Sequence, residues 1–135
     1  RFAAGELLGL VSGMTEGGRA VLDWRIDGGD FSKPQARALT NLAYLTALAL
    51  PMGGEAVITS RRDGDTVVLE GRAQGARARL KPEVVTGLNG QRLTDGLAGQ
   101  WIQPYWLWLT VRDAGGTLDL AVEDGLVAIT ARMPA

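Results

Sequence analysis

The chain has 135 residues, 46% of them hydrophobic and 21% charged, a balance that supports a buried core and excludes intrinsic disorder. Fourteen basic and fifteen acidic side chains leave a net charge of -1, so no global positive field exists to attract a nucleic-acid backbone. There is no cysteine and no histidine, which removes disulfides, thiolate chemistry, the commonest metal ligand and the commonest acid–base group at neutral pH.

The length fits a single domain over residues 1–135. Apolar runs such as residues 42–52 stop well short of the ~20 residues that span a bilayer, and no signal-like segment opens the chain. A soluble, cytoplasmic protein without a membrane partner is expected. Because the first residue is Arg1 rather than methionine, the chain is expected to be the C-terminal piece of something longer.

Leu7, Leu8, Leu10, Val11 and Met14 recur at helical spacing and predict a leading helix within residues 1–18, closed by Gly17-Gly18. Residues 20–26 alternate, with Leu22, Trp24 and Ile26 on one side and Val21, Asp23 and Arg25 on the other, and predict a half-buried strand before a Gly28-Gly29 loop. Ser32 and Gln35 form a capping-box pair, and Pro34 is tolerated in a first turn whose N–H groups lack acceptors. That helix should run to about Leu50 and end at Pro51-Met52-Gly53-Gly54.

Residues 56–61 and 66–73 are β-branched and alternating, and they flank Asp63-Gly64, the strongest hairpin signal in the chain. Residues 75–99 are broken by glycine and charge and read as a mobile cover with one small helix over residues 82–88. A second long helix is predicted over residues 101–114, with Pro104 tolerable only near its start and Gly115-Gly116 as its cap. Residues 117–122 and 126–133 make a last hairpin around Asp124-Gly125. A mainly antiparallel, mixed sheet with two long helices on one face follows, a two-layer α/β sandwich.

That order of elements resembles the ATP-binding domain of sensor histidine kinases. More narrowly, VLDW, KPQARALTNLAYLTALALPMGG, ARARLKPEVVTGLNGQ, DGLAGQW and VRDAGGTLDL resemble the C-terminal domain of alphaproteobacterial histidine phosphotransferases of the ChpT kind. The kinase fold implies a helix asparagine holding Mg²⁺, an aspartate accepting from the adenine amine, and glycines that admit phosphates to backbone N–H groups.

Set on the kinase helix pattern N-L-x-x-N-A, NLAYLTALALP keeps Asn41 but puts Leu45 at the metal-binding asparagine. Set on D-x-G-x-G, the stretch around Gly75 puts Ala73 at the adenine-reading aspartate and Arg77 at the second glycine. One charged hydrogen bond contributes about 1.5–3 kcal/mol, so losing the aspartate alone lowers nucleotide affinity roughly 10- to 100-fold. In DGLAGQW, Gly96 and Gly99 survive, but Gln100 and Trp101 replace the small continuation that seats phosphates on a helix N-terminus.

The resemblance implies a relay protein in a bacterial two-component phosphorelay. A phosphohistidine on an N-terminal helical hairpin, which also makes the homodimer and is absent from this chain, passes a phosphoryl group between receiver domains of response regulators. This domain would then be a pseudo-ATPase without cofactor, metal or activity of its own, serving to dock receivers. Arg72, Arg77, Arg79 and Lys81 are the candidate docking cluster, a complement to an acidic receiver pocket.

Arg37, Asn41 and Leu45 lie four apart on one helix face. They are either a remnant ligand pocket or ordinary packing with Asn41 bonded to nearby backbone, and packing is the preferred reading. Trp101, Tyr105, Trp106 and Trp108 are expected mostly in the core, any exposed ring marking an interface. Glu123 and Asp124 sit at a hairpin tip and read as turn residues. Two alternatives to the docking module remain: an active ATP-dependent histidine kinase domain, or a generic α/β ligand-binding module.

Overall fold

The computed structural model describes residues 1–26 and 28–135. A two-residue strand β1 (Phe2–Ala3) leads into helix α1 (Ala4–Thr15), strand β2 (Ala20–Arg25), a second two-residue strand β3 (Asp30–Phe31) and helix α2 (Lys33–Leu48). Then come the hairpin β4 (Gly54–Asp63) and β5 (Thr66–Gln74), helices α3 (Pro82–Leu88) and α4 (Ala98–Asp113), and the hairpin β6 (Thr117–Glu123) and β7 (Leu126–Pro134).

Helix α2 starts where the cap chemistry demands. The Gln35 backbone N–H donates to Ser32 Oγ at 3.3 Å, and Ser32 N–H donates to Gln35 Oε1 at 2.9 Å, so two otherwise orphaned donors are satisfied reciprocally. The helix ends at Leu48, two residues short of the expected limit, with Ala49 N–H donating back to Leu45 O.

The main sheet has the order β2-β4-β5-β7-β6. The β2–β4 pair is parallel, from Ala20 opposite Gly54 to Arg25 opposite Thr59; α2 supplies the crossover that a parallel pair needs. The other pairs are antiparallel, as the two hairpins dictate. In the first hairpin Asp63 stays in the strand, paired with Thr66, so the turn is Gly64-Asp65, one residue later than the sequence suggests. β1 and β3 pair separately, Phe2 opposite Phe31, and Arg1 bridges to Asp30 at 2.9 Å. Both strands are too short to leave a pattern in sequence.

Period-two alternation sends one set of strand side chains to the helices. Ile58, Leu69, Ile129 and Met133 meet Leu7 and Val11 of α1, Leu39, Leu42 and Leu45 of α2, and Leu107 and Val111 of α4 in one buried cluster. Each fully buried Leu or Ile contributes about 1.5–3 kcal/mol of transfer free energy. The other sheet face carries Arg72–Glu70 and Arg132–Asp119 ion pairs at 3.8 and 2.8 Å. Exposed pairs of this kind contribute little to stability. The architecture is the expected mixed, mainly antiparallel sheet with helices on one face. Among the described residues no helix is long and apolar enough to cross a membrane.

Helix α4 begins at Ala98, earlier than expected, so Pro104 lies inside it. Its buried face is Pro104, Leu107 and Val111, and that displaces the aromatic residues from the core. Trp101 stacks on Tyr105 at 4.6 Å, Tyr105 on Trp108 at 5.8 Å, and the Arg112 guanidinium lies 5.0 Å from the Trp108 ring. The rings form a half-buried ladder along the flank of α4, and Trp106, on yet another side, is 59% exposed. Four aromatic residues spread around a helix cannot all face one sheet, and the proline–leucine–valine stripe is the face that does.

Candidate functional site

Leu45 is 1% exposed and Ala73 is fully buried, both within the core cluster. Beside them the chain leaves α2 through Ala49 and Leu50 and turns at Gly53 and Gly54, both at positive φ. Leu50, which the sequence reading did not single out, fills the space between this turn and the end of β5. A Cβ added at Gly75 would stand 3.1 Å from Leu50 Cδ2 and 2.8 Å from Gly53 O. The end of the β4–β5 hairpin nearest α2 is therefore closed by aliphatic side chain and main chain. A helix followed by a Pro-Met-Gly-Gly turn was the only signal that Leu50 must fold back at this place.

The four basic residues proposed as one docking cluster do not come together. Arg72 follows Gly71 on β5 and points to the sheet face away from the helices, where it pairs with Glu70. Arg77, Arg79 and Lys81 lie on the exposed segment between β5 and α3, on the helix side. Arg79 N–H donates to Ala49 O at 2.9 Å, pinning that segment to the end of α2.

Next to this tether opens a cleft of about 340 Å³. Leu48, Leu50, Leu80 and Val84 line it, and Arg19, Arg79 and Lys81 stand at it with Gln100. Arg19 comes from the turn after α1 and was invisible to any local motif. None of these three cations forms an ion pair among the described residues.

The segment expected to be a mobile cover is anchored at further points. Val84 and Leu88 of α3 are buried in the core cluster. Trp101 Nε1 donates to Gln91 O at 2.9 Å, and Leu97 N–H donates to the Glu83 carboxylate at 3.1 Å. The Leu97 bond and Glu83's own N–H favour the ionised form and hold the Glu83 carboxyl below its ordinary range.

The Arg37, Asn41, Leu45 face divides as well. Leu45 enters the core, whereas Arg37 and Asn41 border a groove of about 680 Å³ between the first half of α2 and the second half of α4. Asn41 Nδ2 donates to Gln103 O at 3.0 Å, and among the described residues its buried Oδ1 has no partner. Glu123 and Asp124 stand at the β6–β7 turn. Among the described residues no three His, Cys, Asp or Glu side chains converge as a metal site would require.

The family model for the histidine phosphotransferase C-terminal domain matches residues 4–125. No curated protein matches the chain. Among solved structures, a bacterial phosphotransferase superposes with a TM-score of 0.84 at 15% identity over 96% of this chain, which spans only 63% of that protein. The mycobacterial sensor histidine kinase MprB gives 0.70 at 19% identity, covering 98% of this chain and 95% of its own. The nucleotide-free catalytic domain of histidine kinase ThkA gives 0.68 at 15% identity, with 99% and 98% covered. These likenesses establish a histidine-kinase ATPase-like fold, and with the family model spanning most of its length the chain belongs to the histidine phosphotransferase C-terminal domain family.

Proposed function

We propose that this domain is the non-ATP-binding, kinase-like part of a histidine phosphotransferase in a bacterial two-component phosphorelay, acting in the cytoplasm by docking response-regulator receiver domains. The burial of Leu45 and Ala73 carries the reading. At the two positions where the kinase pattern needs a magnesium ligand and an adenine acceptor, the side chains are apolar and sealed in the core. Magnesium nucleotide does not fit residues that offer neither an oxygen nor an opening, and no step is routed through it.

The chain contains no histidine, so the phosphoryl carrier belongs to a preceding helical hairpin, which also forms the homodimer. What this domain adds is surface. Of the basic residues, Arg77, Arg79 and Lys81 share one exposed segment and form the docking edge, with Arg72 set apart by the sheet. A receiver's phosphorylation pocket is acidic, and a basic edge raises the encounter rate and fixes orientation more than it adds affinity.

Transfer from a phosphorylated receiver domain to the full-length phosphotransferase tests this. The triple change Arg77→Glu, Arg79→Glu, Lys81→Glu is expected to slow transfer about tenfold or more at low salt, with a smaller difference at high salt. Arg72→Glu is expected to leave it nearly unchanged. Equal rates for wild type and the triple variant would remove docking from this edge.

A further inference from the structure

We propose that the cleft between the end of α2 and the segment leading into α3 binds a small amphipathic monoanion, an aliphatic carboxylate or its sulfate counterpart. Its apolar body would lie on Leu48, Leu50, Leu80 and Val84, and its anionic head would meet Arg19, Arg79 and Lys81.

Three observations carry this. At about 340 Å³ the cleft falls within the roughly 300–1,000 Å³ of ligand pockets. Its lining is aliphatic, and Leu48 is left half exposed, so an apolar ligand gains by covering it. The three cations come from two separate parts of the chain, and among the described residues no acidic side chain lines the cleft. Glu83, which is adjacent in sequence to the cleft residue Val84, already accepts from Leu97 N–H. Three cations line one cleft and none forms an ion pair among the described residues, so their summed field favours an anion there.

The lining also sets what is rejected. Among the described residues no aromatic ring lines the cleft to stack a nucleobase. An alkylammonium of equal length meets the wrong sign of charge. Because Arg79 and Lys81 also belong to the proposed docking edge, an occupied cleft would weaken receiver docking; this consequence alone rests on the docking reading.

Sodium octanoate is the probe, followed by amide chemical shifts of the isotope-labelled domain. Saturable shifts at Leu48, Arg79, Leu80, Lys81 and Gln100 are expected, with no saturation by acetate, which lacks the body, or by octylammonium, which reverses the head. Arg79→Glu and, separately, the exposed Arg19→Glu are expected to weaken binding about tenfold. Leu80→Asn should weaken it with the charge intact. Shifts scattered over the surface, equal binding of octylammonium, or wild-type affinity in both charge-reversal variants would overturn the site. Saturating octanoate should also reduce receiver capture by the full-length protein. If octanoate binds and capture is unchanged, the docking edge fails and the ligand site stands; if receivers dock and octanoate does not bind, the reverse holds.

Discussion

Gln35 Nε2 donates to the carbonyl of Pro134 at 2.8 Å, joining residues 99 apart in sequence. The same side chain closes the capping box with Ser32, and it is only 2% exposed. One amide thus ties the first turn of α2 to the end of the last strand. Gln35→Ala removes both bonds and leaves the Pro134 carbonyl and the Ser32 N–H without these partners; a loss of about 2–3 kcal/mol in urea unfolding is expected. Ser32→Ala removes one cap acceptor and should cost about 1 kcal/mol. The reverse ranking would show that the cap, rather than the link to β7, dominates.

Thr46 of α2 lies directly over Gly71 of β5. Thr46 Oγ1 donates to Leu42 O at 2.7 Å, and a Cβ at Gly71 would collide with that hydroxyl and with Leu42. Gly71→Ala is therefore expected to destabilise by about 1–3 kcal/mol through overpacking, with partial recovery in Gly71→Ala, Thr46→Ala. Equilibrium denaturation of both variants measures this; additive losses would place the clash elsewhere.

Glu83 gives a pH dependence of definite sign. Its folded pKa is depressed by the Leu97 and Glu83 N–H groups, so its tether is in place above the unfolded value near 4.5 and is lost as pH falls through the lower folded value. The Leu97 amide proton shift should titrate with a midpoint below that of an ordinary glutamate, and Glu83→Gln should abolish the titration. A midpoint at or above 4.5 would mean that the carboxylate does not hold Leu97 in solution.

Reinstating the kinase side chains should fail. Leu45→Asn, Ala73→Asp places an amide and a carboxylate in the core, and loss of the buried leucine alone costs about 2–5 kcal/mol. The double variant is expected to unfold, or to melt well below wild type, without gaining nucleotide affinity. A stable double variant that binds ATP would show that the cleft needs only side chains, not reshaping.

The elements with local chemistry were readable in the sequence. Ser32 and Gln35 announced α2, and the Asp-Gly pairs announced both hairpins, the first displaced by one residue. Strands β1 and β3 were not readable, since two residues carry no period. The period of two was nevertheless enough to show that Arg72, next to Gly71 and Ala73, points away from the helices; grouping it with Arg77 by sequence proximity overlooked that alternation. The aromatic residues of α4 misled because hydrophobicity does not say which stripe faces the sheet, and Pro104, Leu107 and Val111 hold that stripe. Arg19 and Leu50 lie in turns, where position depends on how distant segments pack, so the cleft they help to form had no local signature.

Calorimetric titration of ATP with Mg²⁺ into the protein tests most directly whether a kinase fold has here lost its nucleotide site. No saturable heat is predicted at submillimolar nucleotide. A saturable isotherm with a submillimolar dissociation constant would contradict that prediction and restore the domain to the working kinases.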